Sequence, residues 1–234
     1  MNIVCFGDSI TQAAEFPVTD RWPSILQCRL NEWRPGEYRV YNRGIGGNTS
    51  AQGFDRLERD VLPYLPALLL VQFGFNDANV RDWAQKPRVG LGEYRANLRE
   101  FHRITVCNGG ICVFIVNHRI ARVGGVQGNG GDYAVNFEPY NSVVRELACE
   151  LGAPVIDLPA AMERSSVAVE EFVAADGLHL SRGGNHRYAE MIFTALEGIL
   201  VTPKDLLQRQ LSEARRTGSQ GSRFEELRKD MERA

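Results

Sequence analysis

Ser9 stands in Gly7-Asp8-Ser9-Ile10, directly behind the apolar run Ile3 to Phe6. A strand that ends in Gly-Asp-Ser and turns at once into a helix holds the serine hydroxyl at the carboxyl edge of a sheet. Backbone N–H groups of the helix start surround it there, a setting that favours a developing anion. The same tripeptide also suits a plain turn or a helix N-cap. A nucleophilic serine needs a base within hydrogen-bond reach and a third group that orients the base. Four histidines are available: His102, His118, His179 and His186. His102 lies mid-helix on an expected surface face and His186 lies within the last helix, so structural roles are favoured for both. His118 ends the fourth strand run, where it could touch a ligand. His179 follows Asp176 by three residues in Ala175-Asp176-Gly177-Leu178-His179, just before the final helix. Across such a turn the carboxylate can accept from one ring nitrogen while the other faces Ser9.

Two further segments could stabilise an oxyanion. Arg43-Gly44-Ile45-Gly46-Gly47-Asn48-Thr49 follows the second strand run, and its glycines let backbone N–H groups approach a ligand closely. Gly74-Phe75-Asn76-Asp77 follows the third, where the Asn76 side-chain amide can donate into a pocket. By themselves these segments read equally as a glycine-rich turn and an Asx-turn. Loss of one oxyanion donor typically costs ~10²–10³ in turnover. Beyond Asn76, Trp83 lies near Arg81, Lys86 and Arg88. An aromatic ring beside cations could stack on a sugar or hold a polar acyl-bearing group, and it could equally be an ordinary surface loop.

In order and approximate spacing, Gly7-Asp8-Ser9-Ile10, the Gly47 segment, Gly74-Phe75-Asn76-Asp77 and Asp176-Gly177-Leu178-His179 resemble the GDSL, or SGNH, hydrolases over residues 1 to 200. The resemblance implies a flavodoxin-like three-layer α/β/α domain with Ser9 as nucleophile, His179 as base and Asp176 as its partner. It also implies an oxyanion hole made by the Ser9 backbone N–H, Gly47 and Asn76, with no metal or organic cofactor. Ile10 replaces the usual leucine, and Asn48 stands where aspartate is common; neither touches the implied chemistry.

The elements that must position these residues are legible as periodicity. Runs at Ile3 to Phe6, Tyr38 to Tyr41, Ala67 to Phe73, Ile111 to Asn117 and Pro154 to Leu158 read as five buried parallel strands. Trp22, Ile25, Leu26, Leu30 and Trp33 fall on one helical face, and Tyr94, Leu98, Phe101 and Thr105 on another. A last helix is expected from about Gly184 to Leu200. Strand–helix alternation implies a parallel sheet wrapped by right-handed crossovers, with ligands beyond the strands' carboxyl ends. The glycine-rich stretch Arg119 to Asn136 is a pocket rim or an ordinary loop; it lacks the GK[ST] of a phosphate cradle.

Composition narrows the alternatives. The 234 residues carry a formal net charge of −2, which gives no general attraction to nucleic acid or anionic membranes. No apolar run approaches the ~20 residues of a membrane span. The five cysteines form no CxxC pair and read as reduced core residues. With the first strand beginning by Ile3, a cytoplasmic location is expected. Domain limits are expected at 1–202, with a charged, partly helical extension at 203–234 that could carry a homo-oligomer contact. The function expected is hydrolysis of small acyl esters through an acyl-enzyme, with carbohydrate as a possible carrier of the acyl group. A lysophospholipase or thioesterase of the same family, or a noncatalytic glycan-binding module, are the competing readings.

Overall fold

Residues 1–200 are described by a computed structural model. Residues 1–193 form one compact unit and residues 194–234 a second, of which only 194–200 are described. The extension expected at 203–234 lies outside the described residues.

Five strands, β1 (Asn2–Gly7), β2 (Arg39–Gly44), β3 (Ala67–Gln72), β4 (Ile111–Val116) and β5 (Val155–Asp157), pair in parallel in the order β2-β1-β3-β4-β5. This is the flavodoxin-like doubly wound order, and its switch point lies between β1 and β3. The helices are α1 (Ser9–Gln12), α2 (Trp22–Trp33), α3 (Ser50–Asp55), α4 (Leu57–Asp60), α5 (Phe75–Ala78), α6 (Leu91–Cys107), α7 (Tyr133–Leu151), α8 (Leu158–Arg164), α9 (Val169–Phe172) and α10 (Arg182–Ile199). The chain steps from β1 to β2 in one direction, and from β2 through β3 and β4 to β5 in the other. Right-handed crossovers therefore put the intervening helices on opposite faces. On one face α3, α6 and α7 are neighbours; on the other, α2 meets α10 where Trp22 packs on Tyr188, ring centres 4.9 Å apart.

The central strands β1, β3 and β4 are buried on both faces, so their sequences run almost continuously apolar rather than alternating. Ile3, Val4, Cys5 and Phe6 are fully buried in the central β1, where each large side chain contributes ~1.5–3 kcal/mol. Phe6 meets Phe73 and Phe101 edge-on at 5.3 and 5.4 Å. In register, Gly7 of β1 lies level with Gly44 of β2 and Gln72 of β3. Three consecutive sheet positions thus end at one height, and the loops that leave them converge.

The structure alters some expectations. Strand β2 runs on to Gly44 and is only half-buried, as an edge position allows. Helix α7 begins at Tyr133, earlier than the expected loop end, because the Asp132 carboxylate accepts the Ala134 N–H at 2.7 Å and caps it. Of the cysteines, only Cys5 and Cys112 are buried. Cys28, Cys107 and Cys149 are exposed, because they fall on outward turns of α2, α6 and α7. Among the described residues no helix is long and apolar enough to cross a membrane.

Candidate active site

Ser9 is held by the turn its own sequence dictates. The Asp8 carboxylate accepts the Ile10 N–H at 3.0 Å and caps α1, which makes Ser9 the first helical residue. Burial lifts the Asp8 carboxyl to about 7. The helix stops after one turn at Ala13, whose φ of 47° is left-handed and whose N–H returns to the Ser9 carbonyl at 2.8 Å. Below it a chain of amides ties the strand ends together. Thr11 Oγ1 donates to Gln72 Oε1 at 2.8 Å, Gln72 Nε2 to Asn117 Oδ1 at 2.8 Å, and Asn117 Nδ2 to the Phe73 carbonyl at 2.7 Å. Gln72 and Asn117 are fully buried. They were not foreseen, although an amide closing each of two apolar strands is a visible trace of such a chain.

The Asp176 turn reaches Ser9 from the other end of the chain. Its Oδ1 accepts the backbone N–H groups of Leu178 and His179, both at 2.9 Å, which folds the turn back on itself. Its Oδ2 lies 2.6 Å from His179 Nδ1, and His179 Nε2 lies 2.9 Å from Ser9 Oγ. A carboxylate only accepts, so the Asp176 contact places the ring proton on Nδ1 and leaves the Nε2 lone pair for the serine hydroxyl. Burial opposes ionisation of Asp176, but the donors from Leu178 and His179 outweigh it and hold the carboxyl below its ordinary range. The three residues can therefore move a proton from Ser9 to His179 and stabilise the imidazolium that results.

His118 takes a different place from the one expected. It is fully buried, packed beside Phe75 and Phe172 with ring centres at 5.1 and 5.4 Å, and is not among the residues that line the Ser9 cleft. Its Nε2–H donates to the Leu178 carbonyl at 2.8 Å, beneath the turn that carries His179. Burial pushes its pKa down to about 4.

The two proposed donor loops leave β2 and β3, the strands on either side of β1 and Ser9. Gly47 has φ of +76°, and the ideal Cβ position of its neighbour Gly46 is 3.9 Å from Ser9 Cβ. Gly74 has φ of +130°, and a side chain there would meet Asn117 Nδ2 and Tyr94 Oη at 3.1 Å. Glycine at this position lets the chain turn directly from β3 into α5, which carries Asn76. Among the described residues, the N–H groups of Ser9 and Gly47 donate to no protein acceptor. Arg88, one of the cations near Trp83 in the sequence, is engaged with both loops. Its Nη1 donates to the Gly47 carbonyl at 3.0 Å and to Asn76 Oδ1 at 3.3 Å, and its Nη2 donates to Gln52 Oε1 at 3.2 Å.

Ser9, Asn76, Asp176 and His179 open into a cavity of about 570 Å³ that Trp83 and Val126 also line. Trp83 is 87% exposed at its rim. The glycine-rich segment forms one wall and is pinned to the Trp83 loop: Gln127 Oε1 accepts the Val80 N–H at 3.2 Å, and Gln85 Nε2 donates to the Gly128 carbonyl at 2.9 Å.

Comparison with known proteins identifies the family. The model of the GDSL-like lipase/acylhydrolase family matches residues 5–187. The uncharacterized lipoprotein YqeF of Bacillus subtilis is 27% identical over 223 residues, covering 85% of this chain and 87% of that one. The isoamyl acetate-hydrolyzing esterase 1 homolog of Mus musculus is 27% identical over 212 residues, covering 79% of this chain and 76% of its own. Among solved structures, the lipase/acylhydrolase from Enterococcus faecalis superposes with a TM-score of 0.69 at 27% identity, covering 84% of this chain and 95% of that one. The chain belongs to the GDSL-like lipase/acylhydrolase family and is an enzyme acting on ester bonds.

Proposed function

We propose that the protein hydrolyses short-acyl carboxylic esters through an acyl-enzyme formed on Ser9. The observation that carries this reading is the unbroken line from Asp176 Oδ2 through His179 to Ser9 Oγ, with contacts of 2.6 and 2.9 Å. Ser9 Oγ attacks the acyl carbon as His179 Nε2 takes its proton. The carbonyl oxygen becomes an oxyanion within reach of the Ser9 and Gly47 N–H groups and the Asn76 amide. His179 then returns the proton to the departing alcohol, and water activated by the same imidazole releases the acid. The mouse relative is named for isoamyl acetate, an ester of a short acid, and this supports an acetyl-like acyl group. A carbohydrate alcohol is favoured by Trp83, an exposed ring at the cavity rim, since such rings stack on sugar faces.

The test is an ester panel run on the protein and on Ser9→Ala. p-Nitrophenyl acetate and butyrate should be cleaved faster than the decanoate, and Ser9→Ala should retain the fold while losing turnover. Undiminished turnover by Ser9→Ala refutes the nucleophile. A clear preference for long-chain or thioester substrates overturns the short-acyl reading in favour of a lysophospholipase or thioesterase. A failure of Ser9 to react with a fluorophosphonate probe would point to a binding module instead.

A further inference from the structure

The Arg88 side chain reaches both loops that leave the strands on either side of β1 and Ser9. It makes three contacts to acceptors: the Gly47 carbonyl at 3.0 Å, Asn76 Oδ1 at 3.3 Å and Gln52 Oε1 at 3.2 Å. Gln52 belongs to the capping box with Thr49 that starts α3 immediately after the Gly47 loop. The backbone of Arg88 is itself fixed, its N–H donating to the Asn79 carbonyl at 3.1 Å just beyond α5. The guanidinium therefore spans the end of β2 and the end of β3 on a short, anchored stem.

We propose that Arg88 is the positioning residue of the oxyanion site, orienting the Asn76 amide and fixing the Gly47 backbone. A guanidinium donates only, so the atom of Asn76 it touches is the oxygen. The Asn76 Nδ2 donor is thereby turned away from Arg88 and left for a ligand. Without this contact the carboxamide can rotate by half a turn and present its oxygen to the developing anion, which repels it. The cation at Oδ1 also polarises the amide, which strengthens the Nδ2–H as a donor. At Gly47 the contact to the carbonyl fixes the orientation of the following peptide, and a left-handed glycine is the residue with most freedom to lose it. The planar fork matters: it presents several donors in a fixed geometry, whereas an ammonium at the same place is a point charge.

The inference rests on the reading of Gly47 and Asn76 as oxyanion donors, and a double-mutant cycle separates the two. Wild type, Arg88→Ala, Asn76→Ala and the double variant are assayed with p-nitrophenyl acetate, with thermal unfolding followed in parallel. Arg88→Ala is expected to lose about 10- to 100-fold in kcat with little change in KM, somewhat less than loss of a donor itself. That loss should largely vanish in the Asn76→Ala background, because the residue it orients is gone. Arg88→Lys should keep the fold but only part of kcat, and added guanidinium should partly rescue Arg88→Ala. An Arg88→Ala loss that is fully additive with Asn76→Ala overturns the inference, as does unchanged kcat in Arg88→Ala while Asn76→Ala is impaired. If Asn76→Ala itself keeps full activity, the oxyanion reading fails rather than the role of Arg88. Should Arg88→Ala not fold, the cycle is run with Arg88→Lys, and additivity there overturns the inference equally.

Discussion

Asp77 takes both the backbone N–H and the hydroxyl of Ser50: Oδ1 accepts them at 2.9 and 2.5 Å. Asp77 stands on α5 beside Asn76, and Ser50 opens α3 just beyond Gly47. Both residues are buried, and burial lifts the Asp77 carboxyl to about 6 despite the Ser50 donors. The contact ties the two candidate donor loops together from the protein side. Arg88 ties them nearer the solvent.

Asp77→Ala leaves the buried Ser50 N–H without an acceptor, a loss of ~1–3 kcal/mol. For a chain this size that lowers Tm by roughly 2–12 °C. kcat should fall as well, since the Gly47 and Asn76 loops lose their register. Calorimetry and ester kinetics on the same preparation check both effects. A variant with native Tm and kcat would show that the Ser50 contact carries neither.

Asp176 performs two tasks through different oxygens, and substitution can divide them. Asp176→Asn keeps an oxygen for the Leu178 and His179 N–H groups but places an amide donor opposite His179 Nδ1. It should lose on the order of 10²–10⁴ in kcat, because the ring is driven to the wrong tautomer, with Tm little changed. Asp176→Ala should lower both. Equal Tm losses in the two variants would contradict the division.

His118 makes stability depend on pH. It is buried with its Nε2–H committed to Leu178 and with no partner for Nδ1 among the described residues, so the fold holds it neutral and its pKa falls to about 4. A free histidine protonates near ~6.5. As pH drops from about 6.5 to about 4, protons therefore bind the unfolded chain preferentially, and stability falls by roughly 3 kcal/mol from this residue. Chemical denaturation of wild type and His118→Gln across that range should show the steeper acid loss in wild type. Parallel curves would remove His118 as the source.

Trp83 is 87% exposed, and among the described residues its side chain makes no hydrogen bond or ring contact. Trp83→Ala should leave Tm and p-nitrophenyl acetate turnover unchanged. If the ring stacks on sugar, an interaction of ~0.5–1.5 kcal/mol, KM for an acetylated oligosaccharide should rise about 2- to 12-fold. An unchanged KM removes the carbohydrate preference.

Local sequence determined the strands and the turn chemistry. Five apolar runs announced a parallel sheet, Gly7-Asp8-Ser9 encoded a capped helix start, and Asp176 lay three residues from His179, within a single turn. Such features depend on neighbours in the chain, so they survive in the bare sequence. What distant segments do to one another does not. His118 closes an apolar strand like a pocket residue, yet Phe75 and Phe172 arrive from elsewhere and bury it. Arg88 sits in a charged loop like a solvated cation, yet Gly47 and Asn76 are brought to its guanidinium from two different strand ends. Only the sheet order, which sets β2 and β3 on either side of β1, brings these segments to one place. Burial and the sharing of acceptors are properties of that meeting, and no spacing along the chain records them.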